Sequence, residues 1–248
     1  MRTLLIDRGL TLRLLLEGLV VVASILVAFG LDAWWADVQL TREVAEELAG
    51  IDRELEENIG LIEFQADMMR RKVLASRAIA ELTSQTDGTS PVAVPDTLVW
   101  LAVDPTPTLN ASLGGIDAII SSGRLQAIQL RELRVRLTGL RGVIEDAVEE
   151  QLVARDIQED RIRPKIAATA DLRPLQEIGD WFWSQERVPG RAVAGQGPIL
   201  VPGDLELRNT MLRRDTYYGI SIGEMDQLVE IIGHTRELIR EELGREPS

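Results

Sequence analysis

The chain has 248 residues, 45% of them apolar, enough for one large domain or two small ones around a buried core. Its 40 acids against 27 bases give a formal net charge of −13, which argues against a protein that works by neutralising phosphates, and so against nucleic acid as a partner. The absence of cysteine excludes disulfide scaffolds, thiolate metal sites, iron–sulfur clusters and cysteine nucleophiles, and a single histidine leaves little for zinc or acid–base chemistry.

Residues 1–13 read as a short basic tail and 14–35 as an apolar stretch, with an uncharged core from Gly18 to Leu31 between Glu17 and Asp32. A membrane helix needs roughly 20 apolar residues, so a core this short also fits a signal peptide or a buried helix. Three features favour a retained span. Glu17 and Asp32 lie near the ends, where carboxylates reach the interface, and Trp34 and Trp35 stand where an aromatic belt sits. Ala28-Phe29-Gly30 lies inside the apolar run and so is a poor cleavage site. The expected anchor residues are Leu19, Val20, Val21, Val22, Ile25, Leu26, Val27, Phe29, Trp34 and Trp35. Arg2, Arg8 and Arg13 precede the span, whereas Asp37, Glu43, Glu46 and Glu47 follow it against Arg42 alone. The positive-inside rule therefore predicts a cytoplasmic amino terminus, a single pass through the bacterial inner membrane, and a periplasmic domain over 36–248.

Beyond the span the pattern predicts an all-α fold, an elongated bundle of long amphipathic helices. Val44, Leu48, Ile51, Leu55, Ile59, Ile62, Met69 and Val73 recur in three- and four-residue steps, predicting a helix over about 40–82 that continues directly from the span. Asn58 and Gln65 fall close to this stripe, and the acids from Glu43 to Glu57 read as its solvated face. Residues 83–107 read as a loop around a short apolar piece at Leu98 to Val103. A second helix is expected over about 131–161, with Leu133, Leu137, Leu140, Ile144, Val148 and Leu152 on one face. Glycines and prolines predict a second loop over 184–203. A last helix over 205–243 repeats Tyr218, Ile222, Met225, Val229, Ile232, Ile239 and Leu243. No alternating strand pattern of useful length is present.

Between the first two long helices, Ile116, Ile119 and Ile120 are expected to bury one face of a short helix that Gly123 ends in a left-handed conformation. Three segments resemble a family of bacterial single-pass membrane proteins known only as a domain of unknown function. They are Glu17-Gly18-Leu19 through Ala28-Phe29-Gly30 to Trp34-Trp35; Ile119-Ile120-Ser121-Ser122-Gly123-Arg124-Leu125 with Leu130-Arg131-Glu132-Leu133-Arg134; and Leu205-Glu206-Leu207-Arg208-Asn209. The resemblance implies an amino-terminal anchor and an extracytoplasmic helical domain, with no catalytic residue to transfer.

Gly219-Ile220-Ser221-Ile222-Gly223 spells a nucleophile elbow, followed by Asp226 and His234 in hydrolase order. An elbow needs a strand before its serine, whereas these residues lie inside a helical repeat. Ser221 and His234, thirteen residues apart, would be separated by roughly 20 Å along one helix and lie on nearly opposite faces. The acids Glu145, Asp146, Glu149, Glu150, Asp156, Glu159 and Asp160 lack the loop glycine of a calcium site. His234 lacks the Glu-x-x-His partner of a di-iron bundle and reads as a surface residue. No catalytic, cofactor-binding or metal-binding residue is expected.

Trp181-Phe182-Trp183 cannot bury all three rings on one face of a helix, which makes the triplet a candidate partner contact; burial between long helices is the alternative. The expected function is that of a non-enzymatic, membrane-anchored structural or interaction subunit that docks on a larger bacterial membrane assembly. Its partners would be the lipid bilayer and other membrane-protein subunits, with self-association open. A bioenergetic complex, such as a photosynthetic reaction centre with its antenna or a respiratory complex, exemplifies the class of host. An extracytoplasmic sensor or ligand-binding module is the alternative, weakened by some seventeen residues of cytoplasmic chain. An enzyme comes third.

Overall fold

The computed structural model describes residues 8–86, 88, 90–104, 108–183 and 197–244, with 8–15 and 181–183 described by their backbone alone. The fold is all-α apart from one two-stranded ribbon. Helix α1 (Arg8–Ser84) is a single element of 77 residues, roughly 115 Å at 1.5 Å per residue. Residues 16–37 are exposed all round, and one side of the helix begins to pack only at Val44. From there Val44, Leu48, Ile51, Leu55, Ile62, Ala66 and Met69 are buried. One uninterrupted helix thus joins an unpacked apolar segment, long and apolar enough to cross a membrane, to the core of the body.

At the far end of α1 the chain forms strand β1 (Val92–Pro95) and helix α2 (Asp96–Val103). It then returns alongside α1 to α3 (Gly114–Ser121). Asn58 on α1 holds this return, donating from Nδ2 to the Ser112 carbonyl at 2.7 Å and accepting the Ser112 N–H at 3.0 Å. Glu54 accepts from the N–H groups of Gly114 at 2.8 Å and Gly115 at 3.0 Å, which caps α3 where its dipole favours an anion. Gly123, at φ 76°, turns the chain into a 3₁₀ turn (Arg124–Ala127) and then α4 (Arg131–Ile157). A π-helical turn (Gln158–Ile162), α5 (Arg163–Ala167) and α6 (Arg173–Trp183) follow at the far end. Strand β2 (Pro198–Val201) leads into α7 (Leu205–Leu243), whose first turn is capped by Asp204 accepting from Leu207 N–H at 2.8 Å.

Helix α7 runs antiparallel to α1 and α4 and packs along both. Arg236 pairs with Asp52 at 2.8 Å and Asp226 with Arg70 at 2.6 Å on the α1 side. Ser221 and Arg214 bond to Ala147 and Gln158 on the α4 side. One core joins α1, α3, α4 and α7; a second, at the far end, joins Ile79, Trp100, Ile166, Ile178, Val201 and Met211.

Several sequence expectations need correction. The stretches read as loops hold the ribbon, in which β1 and β2 pair antiparallel with Val92 opposite Val201 and Pro95 opposite Pro198. Strands of four residues ended by prolines are too short to show alternation. The apolar piece at Leu98 to Val103 is the body of α2. α4 ends at Ile157 and widens into the π turn, because Pro164 has no N–H for the Asp160 carbonyl four residues back. The buried seam of α4 beyond Ile144 runs through Ala147, Gln151 and Ala154, leaving Leu152 on the surface; Ile120 and Leu243 are also exposed. The acids of α1 are also more than a solvated face: besides Glu54 and Asp52, Glu43 and Glu47 both pair with Arg124.

Candidate functional site

The densest polar arrangement is built around the carboxyl end of α2. An eight-residue helix leaves its last carbonyls without partners and concentrates negative partial charge there. Four of these carbonyls are taken by three buried side chains. Lys72 of α1 donates from Nζ to the oxygens of Leu101, at 3.3 Å, and Asp104. Arg214 of α7 donates to Ala102 O at 2.5 Å, and Gln158 of the π turn donates from Nε2 to Val103 O. Arg214 further donates to the Gln158 side-chain oxygen, to Ser76 Oγ and to Asp215 Oδ1 at 2.7 Å, and its guanidinium stands 5.2 Å from the Tyr218 ring centre.

Burial dominates the electrostatics here. It lowers Lys72 to a pKa of about 7; the Asp104 charge opposes the fall and Arg214 adds to it. Burial also raises the carboxyl of Asp215, outweighing the Arg214 charge beside it. The node fixes the position of α2 and, through it, one wall of an open cleft of about 550 Å³ between α2, α5 and α6. Trp100, Val103 and Leu175 supply its apolar lining, while Arg163, Asp104 and Asp180 bring both signs of charge. Gly179 lies so close to Trp100 that a Cβ there would stand 3.3 Å from the indole nitrogen, which sets how near α6 approaches α2.

The residues expected to form the anchor, Leu19, Val20, Val21, Val22, Ile25, Leu26, Val27, Phe29, Trp34 and Trp35, are all exposed on the unpacked part of α1, with the Trp34 and Trp35 rings 6.4 Å apart. Trp181, Phe182 and Trp183 form the last turn of α6, directly after Gly179 and Asp180 of the cleft lining; their side chains lie outside the described residues.

The serine of the hydrolase-like pattern is fully buried inside α7 and donates to the Ala147 carbonyl at 3.3 Å. His234 is a partly exposed surface residue of α7, its ring nitrogens 3.3 Å from Glu132 of α4 and from Glu237. Thirteen positions apart along one helix, Ser221 and His234 are too distant for proton transfer. Among the described residues no group of three histidine or carboxylate side chains is placed to hold a metal ion.

Sequence periodicity did not single out Lys72, Arg214 or Gln158. Their signal was there in phase: Lys72 continues the Gln65, Met69, Ser76, Ile79 seam, and Arg214 sits between Met211 and Tyr218 in the buried repeat of α7. A charge at a seam position marks a buried, satisfied ion.

No family model, no curated protein and no solved structure matches the chain.

Proposed function

We propose that the chain is a membrane-anchored interaction subunit, whose helical body lies outside the cytoplasmic membrane and docks on a larger assembly in the same bilayer. The observation that carries this reading is the continuity of α1 from the exposed apolar segment into the core. Val44, the first buried core residue, stands nine positions after Trp35, so the body begins roughly 13 Å beyond the aromatic girdle. A body held this close on a stiff rod is presented to neighbouring membrane proteins at a fixed height. The arginines before the span and the acids after it support a cytoplasmic amino terminus. The aromatic triplet at the end of α6 is the docking contact in this reading, and a bioenergetic complex exemplifies the host.

Purification of the intact chain in a mild detergent, with mass spectrometry of what accompanies it, tests this proposal. Integral membrane proteins in constant stoichiometry are expected, and replacing Trp181 and Trp183 by alanine should weaken that association without lowering the melting temperature. A lone chain would count against it.

The cleft beside Trp100 favours one second reading, an extracytoplasmic ligand-binding module. A small molecule that raises the melting temperature of the isolated chain, and no longer does so after Gly179→Leu, would select this reading.

A further inference from the structure

Glu150 on α4 and Glu224 on α7 meet one helical turn from the Ser221 to Ala147 hydrogen bond that joins these helices. Each is only partly open to solvent, and each carries an oxygen, Oε2, that is buried and receives no hydrogen bond among the described residues. The other charged groups acting on Glu224 are Asp146 and Glu149 of α4, both acids. On the α1 side of α7, Arg70 makes its contacts, at 2.6 and 2.7 Å, with Asp226.

Two ionised carboxylates offer only acceptors and repel each other. One proton between them turns one oxygen into a donor and removes the repulsion. We propose that Glu150 and Glu224 share a single proton in a carboxyl–carboxylate hydrogen bond, a clasp on the α4–α7 seam that closes when the proton is bound and is pushed apart when it leaves.

The electrostatics agree with the geometry. Burial, then the charge of Glu150 and the hydrogen bond to it, then the charges of Asp146 and Glu149 push Glu224 up from the ordinary carboxyl range to about 7. The titration belongs to the pair as a unit. Because the folded chain holds this proton more tightly than the unfolded one, the seam gains stability as pH falls through about 7 and loses it as pH rises through that value. An extracytoplasmic body, as proposed above, meets the pH of the medium at this seam; the clasp itself does not depend on that placement.

Infrared titration of the intact purified chain in detergent tests the proposal without reference to any partner. A protonated-carboxyl band equivalent to one proton per chain should persist at about pH 6 and vanish by about pH 8.5. It should be absent in both Glu150→Gln and Glu224→Gln, and should survive Glu149→Gln. The melting temperature of the unaltered chain should fall relative to Glu224→Gln as pH rises over the same interval. A wild-type chain with no such band at about pH 6 would overturn the proposal. So would a band that survives either of the first two substitutions, or one lost in Glu149→Gln. Should a variant fail to fold, Asp215→Asn decides: the band should persist without this other carboxyl that burial raises, and its loss there would overturn the proposal.

Discussion

Lys72 and Arg214 come from antiparallel helices, α1 and α7, and end on adjacent carbonyls of α2, those of Leu101 and Ala102 at 3.3 and 2.5 Å. Two cations this close repel, and Arg214 does lower the proton affinity of Lys72. They are held together by what they share, the negative end of a short helix. The far end of the body is therefore braced by a polar node inside an apolar core, and its members are predicted to be sensitive in different ways.

Arg214 is completely buried and bonded to Ala102, Gln158, Ser76 and Asp215. Arg214→Met leaves the Asp215 carboxylate and the Ala102 carbonyl without their donor, so the chain should lose about 3–5 kcal/mol. Adding Asp215→Asn should recover part of that loss. Chemical unfolding of the intact chain in detergent measures both.

Lys72 gives a pH signature. Burial lowers its pKa from 10.5 to about 7, so the folded chain holds this proton less tightly than the unfolded one. Its contribution to stability is fully present above the ordinary lysine value and is lost as pH falls to about 7, below which it is constant. Lys72→Met should abolish this slope. The difference in melting temperature between the two chains, measured at about pH 7 and about pH 9.5, should change; equal slopes would show that Lys72 titrates normally.

The clamp between α1 and the returning chain should act as a unit. Glu54→Ala removes the acceptor of two N–H groups at the start of α3 and should cost about 1–2 kcal/mol. Asn58→Ala leaves both backbone groups of Ser112 unpaired and should cost about 1–3 kcal/mol. The double variant should lose less than the sum, since both side chains hold one segment. At Gly115 a Cβ would stand 2.9 Å from Ile51 Cγ1, so Gly115→Ala should cost about 1–3 kcal/mol by overpacking. Thermal unfolding of the four variants checks the set.

The absence of cysteine makes the topology directly measurable. With a membrane-impermeant thiol reagent, Thr216→Cys, exposed on α7, should react in cells whose outer barrier alone is opened. Thr3→Cys, in the basic tail, should react only after the inner membrane is broken. The reverse pattern would invert the proposed orientation.

The parts of this fold legible in the sequence were those governed by period. Leu48, Ile51, Leu55, Leu133, Leu137, Met225 and Ile232 stand at helical spacing and all are buried. Gly123 stands where the chain must turn and adopts the left-handed conformation. Features that depend on partners distant in sequence were not legible. Nothing around Asn58 indicates that its amide will meet Ser112, and nothing around Leu98 distinguishes α2 from a strand until Lys72 and Arg214 close over its end. The clasp was hidden for the same reason: Glu150 and Glu224 look like any other acids on helices rich in them until α4 and α7 lie side by side.

Photo-cross-linking in intact membranes, before any detergent is added, is the most direct test of the docking role. A photoreactive residue would replace Trp181 or Trp183 in the full chain, with one at Glu57 on α1 as the control position. A discrete adduct with one integral membrane protein from the α6 positions, absent from the control, is the predicted result. Adducts absent from all three positions, in cells where the chain is present in the membrane, would contradict a docked subunit.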